Sequence, residues 1–243
     1  MEREKWKEFA AERSCELVEN GMRVGLGSGT TVQKIVMALS RKKPKAKFVA
    51  ASHSTENLAR KLGLELISLD ESPDLDLVLD GADEIDPDFN ALKGKGGALT
   101  REKILCHAAE RVVFVVDRAK LVRALEGAVP VEVLPFALAF ARRRLEEMGG
   151  KPRLREVRGS PFITDNGNYI LDTDFGRIRE PDKMEEKINR IAGVLENGIF
   201  PKAADEIVVG CEEGAVEVGS RKQFLALLRS FRLKGEGKDC RGS

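Results

Sequence analysis

Met22-Arg-Val-Gly-Leu-Gly-Ser-Gly-Thr-Thr31 is the stretch that decides the fold. Met22 to Leu26 reads as a short strand, and Gly25 to Thr31 as a glycine-rich turn. Val32, Ile35, Val36 and Leu39 then recur at helical spacing. Strand, glycine loop, helix is the opening of an α/β unit. Upstream, Trp6, Phe9, Ala10 and Leu17 share one helical face, interrupted by Arg13, and Asn20-Gly21 is expected to close that helix.

The unit repeats downstream. Phe48 to Ala51 is a strand candidate and Ser54 to Leu62 a helix. Leu75 to Leu79 is a strand ending at Asp80, and Leu99 to Ala109 a helix. Arg111 to Asp117 is a nearly continuous apolar run, as expected of a parallel strand covered on both faces. The fold class expected is α/β: a Rossmann-like, mostly parallel sheet with helices on both faces, plus a smaller inserted α+β domain.

Texture changes near Gly127. Val129 to Val133 holds a proline, which suggests an edge strand. Phe136 to Met148 reads as a helix ending in Gly149-Gly150. Arg153 to Val157, Phe162 to Thr164 and Tyr169 to Asp172 read as strands, the last two joined by a hairpin turn at Asp165-Asn-Gly-Asn168. Met184, Ile188, Ile191 and Leu195 define a further helix. Ile207 to Gly210 and Ala215 to Val218 look like strands of the first sheet again. The expected division is a catalytic domain over 1–127 completed by 205–219, a small α+β domain over 128–204, and a C-terminal extension over 220–243. In that extension Phe224, Leu227, Leu228 and Phe231 suit a short helix, and the residues from Lys234 a disordered tail.

Composition narrows the function. The chain has 243 residues, 42% hydrophobic and 33% charged, with a formal net charge of +1. No global field draws nucleic acid or an anionic membrane, and one Trp and one Tyr make a poor stacking platform for single strands. Cys15, Cys106, Cys211 and Cys240 are far apart with no CxxC pair, which suits reduced thiols better than a disulfide framework or a zinc ribbon. The opening Met-Glu-Arg-Glu-Lys lacks the apolar core of a signal peptide, and no stretch reaches the ~18 apolar residues of a membrane span. A cytoplasmic protein is expected.

Three segments carry candidate chemistry. In the Gly25 to Thr31 loop, glycines let backbone approach a ligand closely. The following helix start offers free N–H groups, and Ser28, Thr30 and Thr31 add hydroxyls. That suits a phosphate monoester. Gly-Lys-Ser/Thr of a P-loop is missing, and Thr30 stands where a dinucleotide fingerprint has its third glycine. An ordinary tight turn with a Ser/Thr N-cap also accounts for the loop. Asp80-Gly-Ala-Asp-Glu-Ile-Asp86 begins at the carboxyl end of a strand, where open α/β sheets bind ligands. Asp80 and Asp83 could hold sugar hydroxyls or shuttle protons, or form a solvated turn. They do not fit an EF-hand. In Lys93-Gly-Lys-Gly-Gly-Ala-Leu-Thr-Arg-Glu102 a lysine can steady a developing alkoxide, and a glutamate can take a proton from a carbon beside a carbonyl. Glu102 equally suits the first turn of any helix. Lys120, after the long apolar strand, is either another cation at the sheet edge or a surface lysine. His53 and His107 have no third ligand at metal spacing and read as structural.

In order and spacing, these segments resemble ribose-5-phosphate isomerase of the A type. So do Val116 to Lys120, Pro130 to Val133, Phe162 to Asn168 and Gly193 to Ile199, and the resemblance covers about residues 3 to 219. It implies a cofactor-free and metal-free aldose–ketose isomerase of the pentose phosphate pathway, acting on ribose 5-phosphate and ribulose 5-phosphate through an enediolate. Glu102 would move the proton between C2 and C1, Lys93 would steady the enediolate oxygen, and Asp80 would assist ring opening and proton movement between oxygens. Asp83 and Lys120 would hold sugar hydroxyls. Ser28, Gly29, Thr30 and Thr31 would bind chiefly the phosphate, with Lys7 as a further cation. Gly81, Ala82, Gly94, Lys95 and Gly96 complete the substrate-binding set. Lys95 stands where that turn commonly has glycine. The family also implies a homodimer or homotetramer, and unpaired edge strands of the small domain are candidate contacts. The alternative is a non-catalytic sugar-phosphate sensor, which needs the loop but not the Lys93–Glu102 pair. A nucleotide-dependent oxidoreductase is disfavoured by Thr30.

Overall fold

The computed structural model describes residues 2–239. The first half alternates helix and strand: α1 Glu2–Cys15, β1 Arg23–Leu26, α2 Thr30–Lys42, β2 Lys47–Ala50, α3 His53–Lys61, β3 Glu65–Leu66 and β4 Leu77–Asp80. A short pair, β5 Glu84–Ile85 and β6 Ala91–Leu92, leads to α4 Leu99–Ala108 and β7 Val112–Asp117. Then come β8 Val129–Val133, α5 Leu138–Glu147, β9 Lys151–Leu154, β10 Glu156–Val157, β11 Ser160–Pro161 and β12 Tyr169–Asp174. The chain ends with α6 Pro181–Asn189, β13 Val194–Asn197, β14 Ile199–Phe200, β15 Glu206–Cys211, β16 Gly214–Val218 and α7 Arg221–Asp239.

The main sheet has seven strands in the order β16-β15-β7-β4-β1-β2-β3. Every neighbouring pair is parallel except β15 with β16. Strand alternation sends side chains to two cores. Leu77, Leu79, Val113 and Val115 pack with Ala10, Val32, Ile35 and Leu39 of α1 and α2. Val78, Val112, Phe114 and Val116 pack with Leu105 of α4 and Phe224 of α7. Burial on both faces explains why Val112 to Val116 is apolar without interruption. After β7 the chain leaves this sheet and rejoins it as β15. In between lies a four-stranded antiparallel sheet, β13-β8-β12-β9, whose core is shared with α5 and α6 and which forms the second domain. A small sheet, β14-β6-β5, ties the two parts together beside Lys93.

Several expectations need correcting. Strand β8 is central, not an edge. Pro130 is tolerated because its carbonyl faces β13, which stops pairing at Asn197. There it accepts from the Gly198 N–H, so the missing donor on the same side breaks no ladder bond. α1 ends at Cys15 rather than at Asn20-Gly21: turns follow, and Leu17 lies outside the helix while Val18 is buried instead. Phe162 to Thr164 forms the Asp165–Asn168 turn but no strand, because β9 already occupies that edge of β12. α6 stops at Asn189, and Leu195 belongs to β13, where pairing with β8 outweighs the helical spacing. α7 continues through Asp239, and residues 240–243 of the expected tail lie outside the described residues. No helix among the described residues is long and apolar enough to cross a membrane.

Candidate active site

The carboxyl edge of the main sheet gathers the three segments. Asp80 is the last residue of β4, flanked by β1 and β7. The loop after β1 crosses directly above it: a Cβ on Gly27 would lie 1.8 Å from the Asp80 carboxyl, so only glycine fits. Asp80 Oδ1 accepts from the Gly81 amide at 2.7 Å and the Ser28 amide at 3.3 Å. Ser28 is held in turn by a 3.0 Å hydroxyl contact to Ser52, the residue that caps α3.

Gly29, with φ of 99°, precedes α2, and no side chain caps that helix. Its first amides therefore face the crevice without an intrahelical acceptor. Lys7 of α1 donates to Thr30 Oγ1 at 3.2 Å and pairs with Glu4 at 2.7 Å. One end of the crevice thus collects free amides, hydroxyls and a cation, the donor set an anion needs.

At the other end Lys93 follows β6, and its amide donates to the Gly198 carbonyl at 2.9 Å. Its Nζ donates to the Gly81 carbonyl, lies 2.8 Å from Asp80 Oδ2 and 3.2 Å from Glu102 Oε2, and sits 5.5 Å from the Phe114 and Phe200 ring centres. The side chains of Lys93, Asp80 and Glu102 are only 3%, 0% and 5% exposed. Asp80 Oδ2 and Glu102 Oε2 share this one ammonium, and neither buried oxygen has a donor besides it. Burial, followed by the Asp80 charge, pushes the Glu102 carboxyl up to about 8, with Lys93 opposing. Burial also raises Asp80 against the pull of Lys93. Burial works against the Lys93 charge, yet the two carboxylates outweigh it and hold the ammonium above its ordinary value. One cation shared between two desolvated acids leaves a proton readily held in the cluster.

A cavity of about 480 Å³ opens over this cluster. Ser28, Gly29, Thr30, Thr31, Gly81, Ala82, Asp83, Lys93, Gly94, Lys95, Gly96, Glu102, Lys120 and Lys7 all line it, and Asp80 lies beneath as a buried support. Asp83 Oδ1 stands 3.8 Å from Lys120 Nζ and 3.9 Å from Lys95 Nζ, and its Oδ2 accepts from the Lys95 amide at 3.1 Å. Lys95 is an exposed rim residue, whereas burial lowers the Lys120 ammonium.

The family model for ribose 5-phosphate isomerase A (phosphoriboisomerase A) matches residues 47–214. The chain is 41% identical to a ribose-5-phosphate isomerase A of Methanosarcina acetivorans, over 89% of this chain and 95% of that one. It is 44% identical to a namesake of a Ruegeria species, over 88% and 87%. The chain belongs to the ribose-5-phosphate isomerase A family. Among solved structures it is similar to ribose 5-phosphate isomerase A of Methanocaldococcus jannaschii, with TM-score 0.85, 37% identity, and 89% and 99% of the two chains covered. It is also similar to a D-ribose-5-phosphate isomerase in complex with phospho-erythronic acid, with TM-score 0.86, 38% identity, and 90% and 100% covered. Family membership sets the enzyme reading above the sensor alternative.

Against this family frame, Arg3 and Glu4 were missed as cavity walls. Both lie one helical turn before Lys7, so extending the Lys7 face of α1 would have found them. Arg3 is anchored at 3.1 Å by the buried Asp117 at the end of β7, which fixes α1 over the site. Phe114 and Phe200 flank Lys93 from distant strands, and only the second had no sequence signal at all. His53 sits exposed at the start of α3, and His107 in the last turn of α4, both away from the cavity lining. Among the described residues no group of three His, Cys, Asp or Glu is arranged to hold a metal ion.

Proposed function

We propose that Glu102, Lys93 and Asp80 carry out the aldose–ketose isomerisation of the family, interconverting ribose 5-phosphate and ribulose 5-phosphate through an enediolate. The observation that carries this reading is the buried Lys93 between two carboxylates, each with an oxygen that has no donor besides that ammonium, at the floor of a cavity of about 480 Å³.

The phosphate binds the uncapped start of α2, with the Ser28, Thr30 and Thr31 hydroxyls and Lys7 as donors. That fixes the sugar chain so that C1 and C2 reach the buried cluster. Glu102 in its carboxylate form takes the C2 proton, and the electrons move into the carbonyl to give an enediolate. The Lys93 ammonium stabilises the developing oxyanion at a site poor in water, where a charge contact counts far more than in solution. Asp80, buried beneath the cavity and 2.8 Å from Lys93 Nζ, assists proton movement between O1 and O2 through that ammonium. Glu102 then returns its proton to C1. A carboxyl raised to about 8 suits this task, since a base must also give the proton back. Asp83, braced by Lys120, accepts from sugar hydroxyls at the mouth. Gly81, Ala82, Gly94, Lys95 and Gly96 shape the remaining wall.

A coupled assay of ribose 5-phosphate turnover without added metal or nucleotide tests the reaction. Glu102→Gln tests the base: kcat should fall roughly 10²–10⁴-fold with KM little changed. Near-normal turnover in that variant removes Glu102 from the role.

The same reading includes a homo-oligomer assembled through the small domain, taken as residues 128–204. Leu134, Phe136 and Phe140 leave apolar surface open there, Phe136 being fully exposed at 102%, and Leu195 adds to it from the edge strand β13. Sedimentation should give a dimer or larger, and Phe136→Glu should weaken it. A monomer at micromolar concentration excludes the assembly.

A further inference from the structure

Glu132 is a fully buried carboxylate in the middle of β8, on the second domain, and plays no part in the chemistry above. Its four side-chain partners are neutral. Oε1 accepts from Thr164 Oγ1 at 2.7 Å, Asn168 Nδ2 at 2.9 Å and Asn166 Nδ2 at 3.1 Å. Oε2 accepts from the Thr100 hydroxyl. A carboxylate taken out of water is tolerated when its lone pairs are filled this completely, and such a network holds its members in one arrangement.

The partners converge on one place. Thr100 lies in the first turn of α4, two residues before Glu102. Asn166, held by Glu132 through its amide nitrogen, uses its amide oxygen to accept from Arg101 Nε at 2.8 Å. Arg101 Nη2 also donates to the Asp165 carbonyl at 2.9 Å. Lys103, on the far side of Glu102, is pinned by Glu185 and Glu196 of the second domain at 3.1 and 2.7 Å. Residues 100, 101 and 103 are therefore all tied to the second domain. Glu102, between them, is the one that turns to the cavity.

We infer that Glu132 is a positioning residue for the reaction: through Thr100 and through Asn166–Arg101 it fixes the first turn of α4, and with it the direction of the Glu102 carboxyl toward C2 of the substrate. The inference rests on the reading of Glu102 as the proton acceptor. A base misplaced by a fraction of an ångström loses rate while the phosphate anchor, built from a different loop, keeps its affinity. Thr100 isolates the effect, because it makes one contact to Glu132 and is absent from the cavity lining.

The experiment compares Glu132→Gln, Thr100→Val, Thr100→Ser and Glu102→Gln in the full chain, each checked for a cooperative melt. Thr100→Val and Glu132→Gln should lower kcat about tenfold with KM within about twofold, and should move the pH midpoint of kcat. Thr100→Ser, which keeps the hydroxyl, should stay within about twofold of the parent. Thr100→Val with unchanged kcat and pH midpoint overturns the inference, and so does equal loss in the Val and Ser variants. If Glu132→Gln fails to fold, the Thr100 pair decides. Glu102→Gln separates the two ideas: activity there refutes the base itself, whereas an inactive Glu102→Gln beside an unaffected Thr100→Val refutes only the positioning.

Discussion

Lys93 and Lys103 face the same ring, Phe200, at 5.5 and 4.9 Å, and each serves two carboxylates. The clusters differ in how their acids are satisfied. Around Lys103, Glu185 and Glu196 also accept from Asn189 Nδ2 at 2.8 Å, and Glu196 from the Asn197 amide at 2.7 Å. Those glutamates keep 22% and 18% of their side chains in solvent. Around Lys93 the side chains of the acids are at most 5% exposed, and one oxygen of each has no donor besides the shared ammonium. A satisfied cluster holds structure together. An incompletely satisfied one keeps hydrogen-bonding capacity in reserve for atoms that arrive with a substrate.

Neutralising each lysine is the most direct way to break this contrast. Lys93→Met should lower kcat roughly 10²–10³-fold, by analogy with losing one oxyanion donor. Lys103→Met should instead act mainly on stability. Breaking a partly exposed pair whose glutamates keep other donors should cost about 1–3 kcal/mol, seen as a lower Tm, with kcat reduced by less than about tenfold. Equal effects of the two variants on kcat would erase the distinction drawn between the clusters.

Titration sharpens it further, with a smaller effect. If Glu102 is the base proposed, kcat/KM should rise with pH to a midpoint of about 8, where its carboxyl ionises. Asp80→Asn removes the second cause of that shift but leaves burial, the first. The midpoint should therefore fall yet stay above the ordinary carboxyl range, whatever rate remains. Stability carries the opposite sign. Between about 4.5 and about 8 the folded protein keeps a proton that the unfolded chain has released, so this group's contribution declines as pH rises through that window. Glu102→Gln should flatten that part of the Tm-against-pH curve; an unchanged slope there would assign the titration to another group.

Much of the site was legible because its parts lie at strand ends or helix starts, which local patterns mark. Asp80 ends an apolar run, and the glycines before Thr30 mark a backbone that must pass close to something. That the close neighbour of Gly27 is Asp80 itself was not legible, since the two are distant in sequence and meet only through the pairing of β1 with β4. Arg3 and Glu4 share the helical face of Lys7, but that face becomes a cavity wall only where α1 is anchored over the sheet edge by Asp117. Pro130 misled for a related reason. A proline excludes a ladder bond on one side only, and whether a neighbour needs that bond depends on where β13 ends.

By itself the sequence determined the α/β alternation, the two-face burial of Val112 to Val116, the return of the chain to its first sheet, and which short segments carry acids, lysines and a glycine-rich turn. These follow from periodicity and from residue chemistry, which act over a few residues. The tertiary structure alone decided that Lys93 stands buried between Asp80 and Glu102, that Ser28 leans on the cap of α3, and that Glu132 reaches from the second domain to the start of α4. Desolvation and shared hydrogen bonds exist only once distant segments are packed together. The reactivity of these side chains belongs to that packing and not to any one segment.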